Sequence, residues 1–172
     1  AVNHARDDGA TALYLATQNE HPESMQLLLG AGADVDKAND RGYAPIHIAC
    51  LYDRGYAPIH IECLKLLLGA GADVDKANDR GYAPIHIACV QGDLECVKLL
   101  SSRGASRETD PRFGTPEEIA ERSGFAELAA WLRATNDWTP LHHLEQLTPA
   151  CARALLRGGA DLRAGAPSPL ER

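Results

Sequence analysis

The chain has 172 residues, of which 45% are apolar and only 5% aromatic, so Leu, Ile and Ala must fill its core. Its net charge of −7 argues against nonspecific binding to DNA or RNA, which needs a basic stripe. No apolar run approaches the roughly 18 residues of a membrane span, and no membrane contact is expected.

Residues 27–50 recur letter for letter as residues 66–89. No globular enzyme core needs the same segment twice, whereas a repeat array does, because each unit buries its apolar face against the next. In chain order the aligned starts are Thr11-Ala12-Leu13-Tyr14, Ala44-Pro45-Ile46-His47, Ala83-Pro84-Ile85-His86, Thr115-Pro116-Glu117-Glu118 and Thr139-Pro140-Leu141-His142. Their second residues stand 33, 39, 32 and 24 residues apart. A second marker, Gly-Ala followed by Asp or Ser, sits at Gly32, Gly71, Gly104 and Gly159.

The second unit is irregular. Residues 53–61 (DRGYAPIHI) copy residues 40–48, only 13 residues later, which makes the unit six residues too long. The expected arrangement is a helix over 45–51, a loop over 52–57 and a helix over 58–68, with Pro58 at the first helical position. The extra segment reads as a duplication that a surface loop tolerates. In the third unit the pattern predicts helices Pro84–Gln91 and Leu94–Ser102, broken by Gly92, capped by Asp93 and ended near Gly104. The fourth unit predicts helices Pro116–Arg122 and 126–133, and its 24-residue spacing to the next start leaves no room for a connecting hairpin. The fifth predicts helices over 140–146 and 149–157, with Thr148 as N-cap and Gly158 as stop. Approximate units are thus 6–38, 39–77, 78–109, 110–135 and 136–164, with 165–172 starting a further one. Both ends fall inside a repeat, so a longer array is expected.

The period near 33, the T-P-L-H-like starts, the Gly92-Asp93-Leu94-Glu95 turn and the L-L-L-x-x-G-A-D endings together resemble the ankyrin repeat. The resemblance implies an all-α solenoid of about five stacked helix–turn–helix repeats with short β-hairpin fingers. It also implies a non-catalytic, monomeric scaffold that binds a protein partner along its fingers and first helices. The alternative is a targeting module whose catalytic part lies elsewhere, as in a kinase or ubiquitin ligase.

The residues of chemical character have structural explanations within this pattern. His47, His86 and His142 take the T-P-L-H position, which in that family is structural. The adjacent His142 and His143 point about 100° apart on a helix and do not chelate together. Asp34, Asp36, Asp73 and Asp75 recur with the repeat and are explained by loop capping. Phosphate-loop, zinc-protease and serine-hydrolase fingerprints are absent, so no catalytic residue, metal or cofactor is expected. Cys50 and Cys89 share one repeat position and Cys63 and Cys96 another. That recurrence favours packed, reduced thiols and a cytosolic or nuclear location. Ala44 and Ala83 replace the family's Thr, which removes a helix-capping hydroxyl.

The resemblance places recognition at the finger tip, the residue before the start motif and the end of the first helix. Carried over, these positions are Asp7, Asp8, Ala10, Gln18 and Asn19, then Asp40, Arg41, Tyr43, Leu51 and Tyr52, then Asp79, Arg80, Tyr82, Val90 and Gln91. Arg112 and Trp138 extend the line. Arg and Tyr are residue types that often anchor interfaces.

Overall fold

The computed structural model describes residues 2–51, 58–108, 111–136 and 138. Eight helices run through them: α1 (Ala12–Gln18), α2 (Pro22–Gly30), α3 (Pro45–Ala49), α4 (Pro58–Gly69), α5 (Pro84–Gln91), α6 (Leu94–Ser102), α7 (Pro116–Arg122) and α8 (Ala126–Ala134). No described residue lies in a strand, and an isolated antiparallel bridge pairs Ala5 with Thr11.

Consecutive helices pair as α1 with α2, α3 with α4, α5 with α6 and α7 with α8. The first members also pack in a row, α1 on α3, α3 on α5 and α5 on α7, and among the second members α2 packs on α4 and α4 on α6. The core is therefore one continuous seam between rows. Leu13, Met25, Ile46, Leu64, Leu67, Ile85, Leu99 and Leu100 are fully buried in it, and it reaches Leu128 and Leu132 at the last described pair. Each such side chain stabilises by about 1.5–3 kcal/mol when buried. A pair holds few of them, so it depends on its neighbours for a core.

The starts of α1, α3, α5, α6 and α7 follow one local rule with two chemistries. Thr11 Oγ1 accepts from the Tyr14 amide at 3.2 Å, Thr115 Oγ1 from Glu118 at 3.1 Å, and Asp93 Oδ1 from Cys96 at 2.9 Å. Ala44 and Ala83 lack that acceptor. There the third helical residue reaches back instead: His47 Nδ1 accepts from the Ala44 amide at 3.0 Å and His86 Nδ1 from Ala83 at 3.1 Å. Glu118, which departs from the repeat pattern in letter, does the same work, its Oε2 accepting from the Thr115 amide at 3.0 Å. Between α5 and α6 the chain reverses at Gly92, with φ 75°. A Cβ there would stand 2.3 Å from the Phe125 ring, so both backbone shape and space demand glycine.

Side chains also reach from one repeat to the next. Asn3 Oδ1 accepts from the Asp34 amide at 2.8 Å, Asp36 Oδ1 from Asp73 at 3.1 Å, and Asp75 Oδ1 from Ser106 at 2.8 Å. Within the second unit His47, whose Nδ1 accepts locally, donates from Nε2 to the Lys76 carbonyl at 2.8 Å. The recurrent acidic residues are thus loop acceptors, and Asp34 and Asp73 additionally accept from Asp36 and Asp75 within their own loops.

Helices α5, α6 and α7 have the bounds the sequence predicts. Helix α3 is shorter than 45–51: Cys50 and Leu51 donate to His47 and Ile48, three residues back, so the last turn tightens and ends. Helices α4 and α8 each run one residue further than expected. Cys50, Cys63, Cys89 and Cys96 are buried free thiols. The expected loop 52–57, helices 140–146 and 149–157, Cys151 and the segment 165–172 lie outside the described residues. Among the described residues no helix is long and apolar enough to cross a membrane.

The caps separate the two alanines. Ala44 is fully buried, whereas Ala83 is half-buried. Ala83→Thr is expected to raise unfolding free energy by about 0.5–1 kcal/mol through an added cap. Ala44→Thr gains less, because its extra atoms must be packed into a filled core. Urea unfolding of both variants checks this; equal gains would show that space at Ala44 is not limiting.

Candidate interaction surface

The segments before α3 and α5 are tight turns built by one asparagine each. In the first, Asn39 donates to the Tyr43 carbonyl at 3.0 Å and Gly42 to the Asn39 carbonyl at 2.9 Å. The Asn39 side-chain oxygen accepts from both the Arg41 and Tyr43 amides at 3.0 Å. Asn78 repeats the arrangement on Arg80 and Tyr82, also at 3.0 Å. A side-chain amide that holds two backbone donors freezes a turn that would otherwise be mobile.

Frozen this way, the turns stand in a row. The Asp40 amide donates to the Asp8 carbonyl at 3.1 Å, and Asp79 to Arg41 at 3.5 Å. Arg112 Nη1 then reaches the Arg80 carbonyl at 3.4 Å. Asp40, Arg41, Asp79 and Arg80 are exposed at the tips, so acid and base alternate along the row.

The two tyrosines face inward more than the tips do. Tyr43 is half-buried, edge-on to the His47 ring with centroids 5.8 Å apart. Tyr82 stacks on Phe113 at 3.9 Å and meets His86 edge-on at 6.4 Å. At the ends of the first helices, Leu51 is 37% exposed and Val90 46%. Gln91 donates from Nε2 to the Leu51 carbonyl at 2.7 Å, which ties these two ends together. Tyr52 lies outside the described residues. In the first repeat Asp7, Asp8, Gln18 and Asn19 are exposed, but Ala10 is buried against Tyr14 and Ile48 and offers nothing to a partner. Its methyl fills a small core that the residue before a start motif would otherwise leave open. Arg112 lies over Phe113 at 5.1 Å, and Trp138, 39% exposed, meets Trp131 edge-on at 6.5 Å.

Three features escape sequence reasoning. Asn39 and Asn78 organise the tips, and the signal was present, since Asn favours such turns and precedes Asp-Arg in both copies. Phe113 extends the aromatic row across a repeat boundary. Between α4 and α6, His60, Asp93 and Cys96 bring ligand-type atoms to within 4.8 Å of one another.

Burial sets the chemistry of the histidine beneath the first turn. Desolvation lowers the pKa of His47 below the ordinary 6.5, against backbone bonds that raise it, so the ring stays neutral with its proton on Nε2. Cys63 and Cys89 are pushed up to about 11 and about 12, chiefly by burial, and remain thiols.

A family model for ankyrin repeats in three copies matches residues 1–78 and again residues 58–166. The chain is 34% identical over 120 residues to the tyrosine-protein kinase HTK16 of Hydra vulgaris, covering 69% of the chain and 15% of that protein. It is 44% identical over 48 residues to the potassium channel AKT1 of Oryza sativa subsp. indica, covering 28% of the chain and 5% of the channel. It is 51% identical over 35 residues to cortactin-binding protein 2 of Ornithorhynchus anatinus, covering 20% and 2% respectively. The chain thus spans a small part of each of these relatives.

The neutral His47 gives a signed pH dependence. Its folded pKa lies below its unfolded value near 6.5, so the unfolded state binds more protons and stability falls as pH drops through that value. His60, raised to about 9, acts in the opposite sense, losing stability as pH rises. Comparing parent with His47→Gln isolates the first effect. Between about pH 7.5 and about pH 5.5 the variant is expected to lose less stability than the parent in urea unfolding. An identical loss in both would show that His47 does not titrate on unfolding.

Proposed function

As the chain belongs to the ankyrin-repeat family, we propose that it is a non-catalytic scaffold that binds a protein partner along its row of turns and the adjoining ends of the first helices. Ankyrin repeats indicate a protein–protein interaction module, and the units expected from the sequence would stack here as a solenoid with the turns as its fingers. The observation that carries the reading is the pair of identical, exposed Asp-Arg tips on turns already locked by Asn39 and Asn78. A surface that is rigid before binding loses little order on binding, so its contacts go further toward affinity.

Within this surface the residues divide by work. Arg41 and Arg80 offer planar donor forks, Asp40 and Asp79 set a charge preference, and Leu51, Val90 and Gln91 supply a partly apolar floor. Tyr43 and Tyr82 present an edge to the partner while bracing the turns from behind. Tyr52 belongs to the same line by sequence. The alternation of charge suits an extended partner segment of mixed or basic character that engages both tips at once. A second reading makes the chain the targeting part of a larger enzyme. The match to a protein named as a tyrosine kinase, of which it covers 15%, supports it. A catalytic domain encoded in the same reading frame would decide for that reading.

The test uses a partner captured with the intact protein and titrated against variants. Arg41→Ala and Arg80→Ala are each expected to cost about 1–2 kcal/mol of affinity, with the circular dichroism of the parent retained. The double variant is expected to cost clearly more than either. Undiminished binding by a folded double variant that also carries Val90→Ala would contradict the assignment and shift attention to Arg112 and Trp138.

A further inference from the structure

The duplicated segment carries an Ala-Pro-Ile-His start into a second helix. His47, His60 and His86 each follow Ala-Pro-Ile, but His60 opens α4, the second helix of its pair, rather than the first. In the two regular copies Nδ1 is used locally, and His47 spends Nε2 on a backbone carbonyl. His60 Nε2 instead faces Asp93 Oδ2 at 2.8 Å, with Cys96 Sγ as the third vertex of a group whose atoms all lie within 4.8 Å.

We propose that His60, Asp93 and Cys96 form a binding site for a zinc-type divalent cation that clamps α4 to the start of α6. The donor set is one imidazole nitrogen, one carboxylate oxygen and one sulfur, a mixture that suits zinc better than calcium or magnesium. A tetrahedral zinc site places such atoms roughly 3.3–3.6 Å apart, given bonds of about 2.0–2.3 Å. The His60–Asp93 separation of 2.8 Å is a little short of that value and no separation in the group exceeds 4.8 Å, so side-chain shifts of about an ångström open the cluster to an ion. The carboxylate is already aimed. Asp93 Oδ1 is held by the Cys96 amide at 2.9 Å, which leaves Oδ2 to the cluster. Cys96 is fully buried, while the side chains of His60 and Asp93 keep 14% and 21% exposure. The site is therefore shielded on its sulfur side and open enough on the other for an ion to enter and for water to take a fourth position. The sulfur is already turned to the imidazole, since Cys96 hydrogen-bonds with the side chains of His60 and Cys50. Coordination proceeds by loss of the Cys96 thiol proton and of the His60 proton to solvent, with no change in oxidation state.

The experiment adds cobalt(II) to the intact, untagged and reduced chain, then displaces it with zinc. The expected result is a near-ultraviolet thiolate-to-cobalt band with tetrahedral visible bands, lost on adding zinc. His60→Ala and Asp93→Asn, which keeps the helix cap, each weaken zinc binding at least about tenfold. Cys96→Ser abolishes the band, and Cys63→Ser leaves it intact. Circular dichroism of each variant establishes that it is folded, and His60→Ala, at a partly exposed position, keeps the test open should Cys96→Ser fail to fold. Absence of a cobalt–sulfur band overturns the proposal. So does a band that survives His60→Ala and Asp93→Asn undiminished, or one that survives Cys96→Ser, because the metal would then sit elsewhere.

Discussion

Everything in this molecule depends on acceptors in one repeat that hold the backbone of the next. Asn3, Asp36 and Asp75 each accept an amide from the following repeat, and within the second unit His47 donates to the carbonyl of Lys76 near its end. Apolar burial alone would leave the thin layers free to slide, since Leu, Ile and Ala pack in many registers. Directed hydrogen bonds add about 0.5–1.5 kcal/mol each, and they select one register among those that burial permits. Once the register is set, the turns before α3 and α5 fall into line, and the exposed arginines come to lie one repeat apart.

Support and display are divided within single turns. Asn39 and Asn78 face the backbone, Tyr43 and Tyr82 face the histidines and Phe113, and Asp-Arg faces solvent. A change at a tip therefore leaves the turn standing, whereas a change at the asparagine removes two hydrogen bonds and frees the loop.

Most of the helical framework was legible in the sequence, because local signals suffice for it. Pro at the first turn, Asp93 before α6 and Gly92 after α5 set boundaries from within the segment. Glu118 misled in letter but not in physics, since a carboxylate reaches the same amide that His47 and His86 reach. The premature end of α3 was not legible, because it depends on how the last turn tightens. Contacts across repeats were equally hidden. Tyr82 on Phe113, Gln91 on Leu51 and His60 on Asp93 join residues about one repeat apart, and only the stacking offset decides which meet. Of the candidate surface, the Asp-Arg turns followed from the repeat, while the inward turn of the tyrosines and the burial of Ala10 required the fold.

The most direct measurement is residue-resolved hydrogen exchange on the intact chain. The amides of Asp73 and Ser106 sit in exposed loops, yet donate to carboxylates of the preceding repeat. If those bonds hold the register, both amides exchange far more slowly than free peptide amides, and their protection falls together with that of the neighbouring core helices as denaturant is added. Exchange of both at free-peptide rates, beneath fully protected α4 and α6, would contradict the account, because the helices would then stack without the ladder that is held to align them.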